Sequence, residues 1–263
     1  MNNSTLDLIH KHASVRRYKP DPLPASVIET VVAAGQRAAS SSNVQAYSVV
    51  AVTDAAKRQR LAELCGNQKH VAGAPIFLAW CADLARLERV CFLRGYAQVT
   101  RYTENFLIAA IDAALAAQNA TLAAESLGLG ACYIGSIRND TQAVIELLAL
   151  PRLVFPIAGM TLGWPEKEAA VKPRLPLPAV LNWETYNPDQ DAALLDYDRT
   201  MAATGIYEDR QVAASRAGTG TNSPAKPDTM EDYGWLEHTA RRVSQVARAE
   251  LKQVLQKQGF ALE

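Results

Sequence analysis

The sequence predicts a mixed fold of helices and strands, one large domain with a C-terminal appendage, and three observations lead there. Short β-rich or apolar runs recur through the first 162 residues with helical patterns between them. One Ala- and Leu-rich segment, 105–127, lacks Gly and Pro and marks a central helix. After Tyr186 the composition shifts and a Gly/Ser/Pro/Thr-rich stretch appears. The 263 residues, at roughly 150 per domain, suit one domain with appendages as well as two. The division expected is 1–190 and 191–263.

Each element has its own local reason. Residues 5–12 read as a short helix leading into a basic stretch, which Pro20, Pro22 and Pro24 end. Ser26 is placed to cap an amphipathic helix to about residue 38, and Ser40 to Asn43 break it. Residues 47–52 form a β-rich run. Asp54 opens a helix over 55–65 that stops at Gly66 and Asn67. Pro75 precedes a buried apolar strand over 76–82, and 83–103 reads as mixed helix and loop.

The 105–127 segment is apolar on almost every face, so it is expected to be buried, and Gly128 and Gly130 end it. A strand at 131–134, a helix at 141–149 and a strand at 154–162 follow, then Pro-rich turns. Helices are expected over 189–203 and, basic and continuous, over 235–258. A flexible loop at about 213–229 separates them.

Composition excludes several classes of function. Apolar residues at 49% and charged residues at 21% supply a core and exclude global disorder. Lys plus Arg equals Asp plus Glu at 27 each. The basic surplus of a duplex-binding protein is therefore missing, and no nucleic-acid partner is expected. A net charge of zero favours association.

The N-terminus has no signal-peptide run, and the apolar stretch 106–117, interrupted by Asp112, falls short of a membrane span. Four cysteines without CxxC spacing argue against zinc and against a disulfide scaffold. The histidines lack metal-ligand spacing, so no metal is expected. Together these features predict a soluble cytoplasmic protein.

Familiar catalytic motifs are missing as well. No GxGxxG follows a strand, and GxxxxGK[ST], GxSxG and HExxH do not occur. Chemistry, if any, is expected from a bound organic cofactor. Three polar clusters could hold one: His12, Ser14, Arg16 and Arg17; the tract Ser40, Ser41, Ser42, Asn43 and Gln45; and Lys172 with Arg174. Cations beside a hydroxyl suit a phosphate, though each cluster alone also reads as a solvated turn. Gln68, Lys69 and His70 read alone as a helix end. Gly135, after Tyr133 and Ile134, permits close backbone approach to a flat ligand or simply a turn.

The order of these clusters resembles the flavin-dependent nitroreductase family, within it the oxygen-insensitive NADPH nitroreductases and NADPH–flavin oxidoreductases. The motifs are H-x-S-x-R (His12, Ser14, Arg16), SSS-x-x-Q (40–45), GxQKHV (66–71), AAESLGLG-x-x-YIG (123–135), LGWP (162–165) and KPRLP (172–176). Order and spacing agree over about residues 5–190.

The resemblance implies an α+β fold with a central, mostly antiparallel sheet flanked by helices. It implies a homodimer with FMN at the interface and C-terminal segments around the partner. His12, Ser14, Lys172 and Arg174 would hold the FMN phosphate and ribityl chain, and Arg16 and Gln68 the pyrimidine edge, with Lys69 also binding cofactor. Ser40, Ser41 and Ser42 would line the flavin from the partner or beside it. Tyr133, Ile134, Gly135 and Ser136 would lie along the ring. Asn43 would face the substrate pocket, and Arg248 or Arg210 would grip NADPH.

The function implied is NAD(P)H oxidation coupled to two-electron reduction of nitroaromatics, quinones or flavins by hydride transfer, with NADPH as donor and NADH not excluded. A flavin-binding or flavin-delivery module with incidental redox activity, or a specialised reductase such as a dehalogenase on the same fold, is the alternative. A cation beside the flavin would stabilise the charge that arrives with the hydride, so no side-chain acid is obligatory.

Overall fold

A computed structural model describes residues 3–208, 210–213 and 233–263. The expected loop 213–229 lies, beyond its first residue, outside the described residues. The chain forms two compact units: Met1–Val171 with Arg248–Glu263, and Lys172–Ala247.

The first unit is built on a four-stranded sheet: β1 (Tyr47–Val52), β2 (Ile76–Asp83), β3 (Gly130–Ile134) and β4 (Val154–Gly163), in the order β1-β2-β4-β3 with every pair antiparallel. The period-2 alternation of β2 explains its complete burial. Ile76, Leu78 and Trp80 point into one apolar cluster, and Phe77, Ala79 and Cys81 into another on the opposite face.

Seven helices and one late arrival surround this sheet: α1 (Ser4–His10), α2 (Ala25–Gly35), α3 (Ala55–Leu64), α4 (Lys69–Gly73), α5 (Ala85–Leu93), α6 (Thr103–Ser126) and α7 (Thr141–Leu147), with Leu251–Lys257 returning from the far end of the chain. Asp54 accepts from the Lys57 amide and caps α3 as its sequence suggests. Ser26 does not cap α2. The chain enters through Pro24, whose fixed φ suits a helix start, and the Ser26 carbonyl instead accepts from the Thr30 hydroxyl.

Helix α6 is not buried all round. Ala109, Ala113, Ala116, Ala120 and Ala124 form a buried stripe at helical spacing, small enough to let α2 and the sheet approach closely. Leu107, Ile111 and Leu115, four residues apart, stand 47%, 55% and 41% exposed on another side. By length and composition α6 could cross a membrane, yet its alanine stripe is core and it buries the carboxylate of Asp112.

In the second unit, α8 (Asp191–Ala202) and α9 (Trp235–Val243) pack together, with Tyr197 edge-on to Trp235 at 5.2 Å. The continuous basic helix expected over 235–258 is two helices, α9 and α10 (Leu251–Lys257). Arg248 between them takes φ +55°, a left-handed conformation that an α-helix cannot contain. The break falls where the chain re-enters the first unit, and α10 then packs against α7.

Candidate functional site

The candidate site grows from the end of β3. The segment carrying the first motif runs beside that strand: the Val15 amide donates to the Ala131 carbonyl at 2.9 Å, and Val15 is buried. The approach requires Gly130, where a Cβ would sit 2.5 Å from a Val15 methyl. With Val15 turned inward, Arg16 is exposed and Ser14 half-buried. His12 Nδ1 lies 2.6 Å from Glu125 Oε1 near the end of α6. Glu125 Oε2 is buried without a hydrogen-bond partner among the described residues.

Beyond β3 the chain makes a tight turn, Gly135–Arg138. Ile134 is in the core and can offer a ligand only backbone. A Cβ built on Gly135 would meet nothing nearer than an Arg138 nitrogen at 3.7 Å. No neighbour among the described residues therefore demands glycine here, and a bare stretch of backbone is left open to an approaching ligand. Ser136 Oγ accepts from Gln68 Nε2 at 2.6 Å, and the same amide donates to the Cys65 carbonyl at 3.0 Å. Burial pushes the Cys65 thiol up to about 11, so it stays protonated.

Gln68 precedes α4, which places Lys69 at its exposed first position and His70 next to it. The His70 ring is held below its ordinary range, first by burial and then by the nearby Arg16 charge. Its Nε2 is buried with no hydrogen-bond partner among the described residues. Tyr133 turns its hydroxyl to Thr121 of α6, 3.1 Å away. Arg16, His70, Gln68, Ser136 and Gly135 thus form one continuous patch.

Two arginines extend the patch. Arg248 donates to Asn139 Oδ1 through Nε and Nη2, at 3.2 and 3.0 Å. Arg138, bonded to the Ile157 carbonyl, is lowered from its usual value by burial and then by the Arg248 charge. Among the described residues neither forms an ion pair with a carboxylate. Two guanidinium groups this close repel, and an anion between them would relieve it.

The serine tract lies elsewhere. It enters β1, at the sheet edge opposite β3, three strand spacings or roughly 14 Å away. Its conformation is unusual: Ser42, Asn43 and Gln45 all have positive φ, at 47°, 56° and 51°. Asp112, 1% exposed, holds it there. Its Oδ2 accepts from the Ser40 hydroxyl at 2.7 Å and the Ala46 amide at 3.0 Å, and Oδ1 from the Ser41 amide at 3.1 Å. The Ser40 hydroxyl also accepts from the Gln45 amide, so it is committed within the protein, whereas Ser41, Ser42 and Asn43 are exposed. Left-handed residues cost about 1–2 kcal/mol each. A hydrogen bond to a carboxylate contributes about 1.5–3 kcal/mol, so three of them are of the size needed to offset that strain.

Lys172, Arg174 and Arg210 belong to the second unit, where all three line a cavity of about 320 Å³ together with Tyr197, Trp235 and His238. Sequence reasoning missed four functional candidates in the first unit. Arg138 stands three residues beyond the YIG motif, and His70 and Glu125 lie inside quoted motifs. Asp112 is noticed in the sequence only as an interruption of an apolar run.

Fold and site together define a class. Residues 9–164 match the Nitroreductase family and 172–263 the C-terminal domain of that family, and the chain belongs to it. It is similar to an FMN reductase (NADPH) of Bacillus subtilis strain 168, 42% identical over 205 residues that cover 76% of this chain and 82% of that protein. It also resembles an oxygen-insensitive NADPH nitroreductase of Salmonella typhimurium, 37% identical and covering 98% of both chains. The solved NADPH:FMN oxidoreductase from Vibrio harveyi, complexed with NAD+, superposes with a TM-score of 0.83 at 33% identity, covering 99% of this chain and 100% of that one.

Proposed function

We propose that this protein is an FMN-dependent NAD(P)H oxidoreductase, with NADPH as the preferred donor, that reduces nitroaromatics, quinones or flavins in two-electron, ping-pong turnovers. The observation that carries the reading is the open backbone at Gly135, bordered by the Gln68–Ser136 pair and the Arg16–His70 pair. A flat, polar-edged ring fits that setting: the backbone admits it closely, and the orphaned His70 nitrogen and the exposed Arg16 offer polar partners at its rim. Bound FMN would supply the redox chemistry, taking up a hydride from NAD(P)H and passing it to the acceptor.

The residues have separate tasks. Arg16 places positive charge at the ring's pyrimidine edge, and Gln68 holds Ser136 and orients the turn. Lys69, Tyr133 and the backbone of Ile134, Gly135 and Ser136 border the ring. His12 and Ser14 reach the ribityl phosphate, and Lys172 and Arg174 are assigned to the same phosphate by their motif. Arg248, with Arg138, takes the anionic part of NADPH, and Arg210 is the second candidate for that group.

The protein acts as a homodimer in this reading. The patch and the serine tract sit at opposite sheet edges, so a second copy can bring its Ser41, Ser42 and Asn43 to the flavin. The exposed Leu107, Ile111 and Leu115 supply an apolar face for that association. The setting is cytoplasmic, with neither nucleic acid nor membrane as partner.

The test is an anaerobic visible spectrum of protein loaded with FMN, titrated with NADPH and separately with NADH. Stoichiometric flavin, bleached faster by NADPH and re-oxidised over many turnovers by a quinone, is the expected result. Failure to take up FMN overturns the proposal. Uptake without reduction by either nucleotide would indicate a binding protein.

A further inference from the structure

We propose that Asp112, at the centre of α6, is a positioning residue for the flavin site. It acts by holding the Ser40–Ala46 loop in the one conformation that presents Ser41, Ser42 and Asn43. The inference rests on the reading that this loop contributes to the FMN site.

Asp112 is a polar residue that the helix does not need. It lies on the buried, mostly alanine face of the helix, and its carboxylate is removed from water with no cation paired to it among the described residues. Burying a carboxylate is unfavourable unless its oxygens are satisfied. Here all three described hydrogen bonds to it come from one loop, at positions 40, 41 and 46, and they bracket the three left-handed residues between them. A loop that crowds strain into 42–45 and is tied at both ends to one buried acid is over-determined, as pre-organised binding loops are.

Asparagine at 112 keeps the volume but not the pattern. Oδ1 faces a backbone amide and Oδ2 faces another, so whichever position becomes NH2 sets donor against donor. Asp112→Asn should therefore leave a folded protein whose loop is untied at one end.

The experiment titrates flavin-free full-length protein with FMN by fluorescence quenching and follows amide exchange over residues 40–46. Wild type is compared with Asp112→Asn, Ser40→Ala and Gln258→Ala. Gln258 serves as control because, among the described residues, its side chain bonds only to the carbonyls of Leu150, Pro151 and Val154 and makes no hydrogen bond to Asp112 or to the 40–46 loop. Asp112→Asn is expected to raise the FMN Kd about tenfold, the effect of one lost hydrogen bond to a charged group, and to speed exchange at Ser41 and Ala46. Gln258→Ala is expected to lower the melting temperature with Kd unchanged.

Asp112→Asn with wild-type Kd and exchange would overturn the positioning role while leaving the flavin reading intact. The same holds if the control weakens FMN binding as much as Asp112→Asn does. If Asp112→Asn does not fold, Ser40→Ala decides, since it removes the Asp112 tie from the loop side together with the Gln45 amide's bond to the same hydroxyl. A raised Kd with faster exchange at Ala46, which Asp112 also holds, supports the proposal, and an unchanged Kd overturns it. A wild type that binds no FMN defeats the underlying reading and this inference together.

Discussion

His12 and Glu125 show how a binding side chain acquires its orientation. Imidazole has two ring nitrogens, and a carboxylate at 2.6 Å from Nδ1 ties down that one, which directs the use of the other. Glu125 has only 10% of its side chain exposed. Glu125→Ala is expected to weaken FMN binding about tenfold, as loss of a charge-assisted hydrogen bond does. Glu125→Gln, which keeps an acceptor oxygen at the same place, should recover most of that affinity in the same fluorescence titration. Equal losses for the two variants would show that charge, not orientation, is what Glu125 supplies. The residue lies inside a motif visible in the sequence, but its partner is 113 positions away. No local pattern reveals such a pairing, and the three ties of Asp112 were illegible for the same reason.

Elements were more legible than side-chain roles, because periodicity is local. The run 47–52 coincides with β1, and the uninterrupted apolar run became β2, buried because both faces of the sheet are covered. The split of 235–258 was not legible: no Gly or Pro marks it, and Arg248 adopts its left-handed turn without the usual signal. Helix α6 misled differently. An apolar surround reads as full burial in one chain, while part of it stands exposed as the stripe Leu107, Ile111 and Leu115. If that stripe is covered by a second copy, the double variant Ile111→Asp, Leu115→Asp should convert a dimer to a monomer in analytical ultracentrifugation and weaken FMN retention alongside. A variant that sediments like wild type would place the dimer contact elsewhere.

At the scale of the whole molecule, the first unit is discontinuous in sequence. Its last sixteen positions, Arg248–Glu263, bring α10 back to the sheet. Phe260 completes an aromatic trio with Phe106 and Phe155, edge to face at 5.5 and 6.3 Å. Gln258 binds the carbonyls of Leu150, Pro151 and Val154, and the Glu263 carbonyl accepts from the Thr103 amide at the start of α6. Ending the chain at Ala247 removes all of this. Loss of the buried Phe260 alone is worth about 3–5 kcal/mol, and at 2–4 °C per kcal/mol the melting temperature should fall by roughly 10 °C or more in scanning calorimetry. An unchanged melting temperature would show that the returning segment is ornament to the core.

The same return has a consequence for biosynthesis. When residue 171 leaves the ribosome, the first unit still lacks its closing helix. The whole second unit must be translated before that helix exists, an interval of several seconds at roughly 5–20 residues per second. Throughout it, Phe106 and Phe155 wait without Phe260, and the carbonyls that Gln258 will cover are open to water or to a chaperone. Nascent chains arrested before and after residue 260 are therefore the natural pair in which to look for that exposed surface.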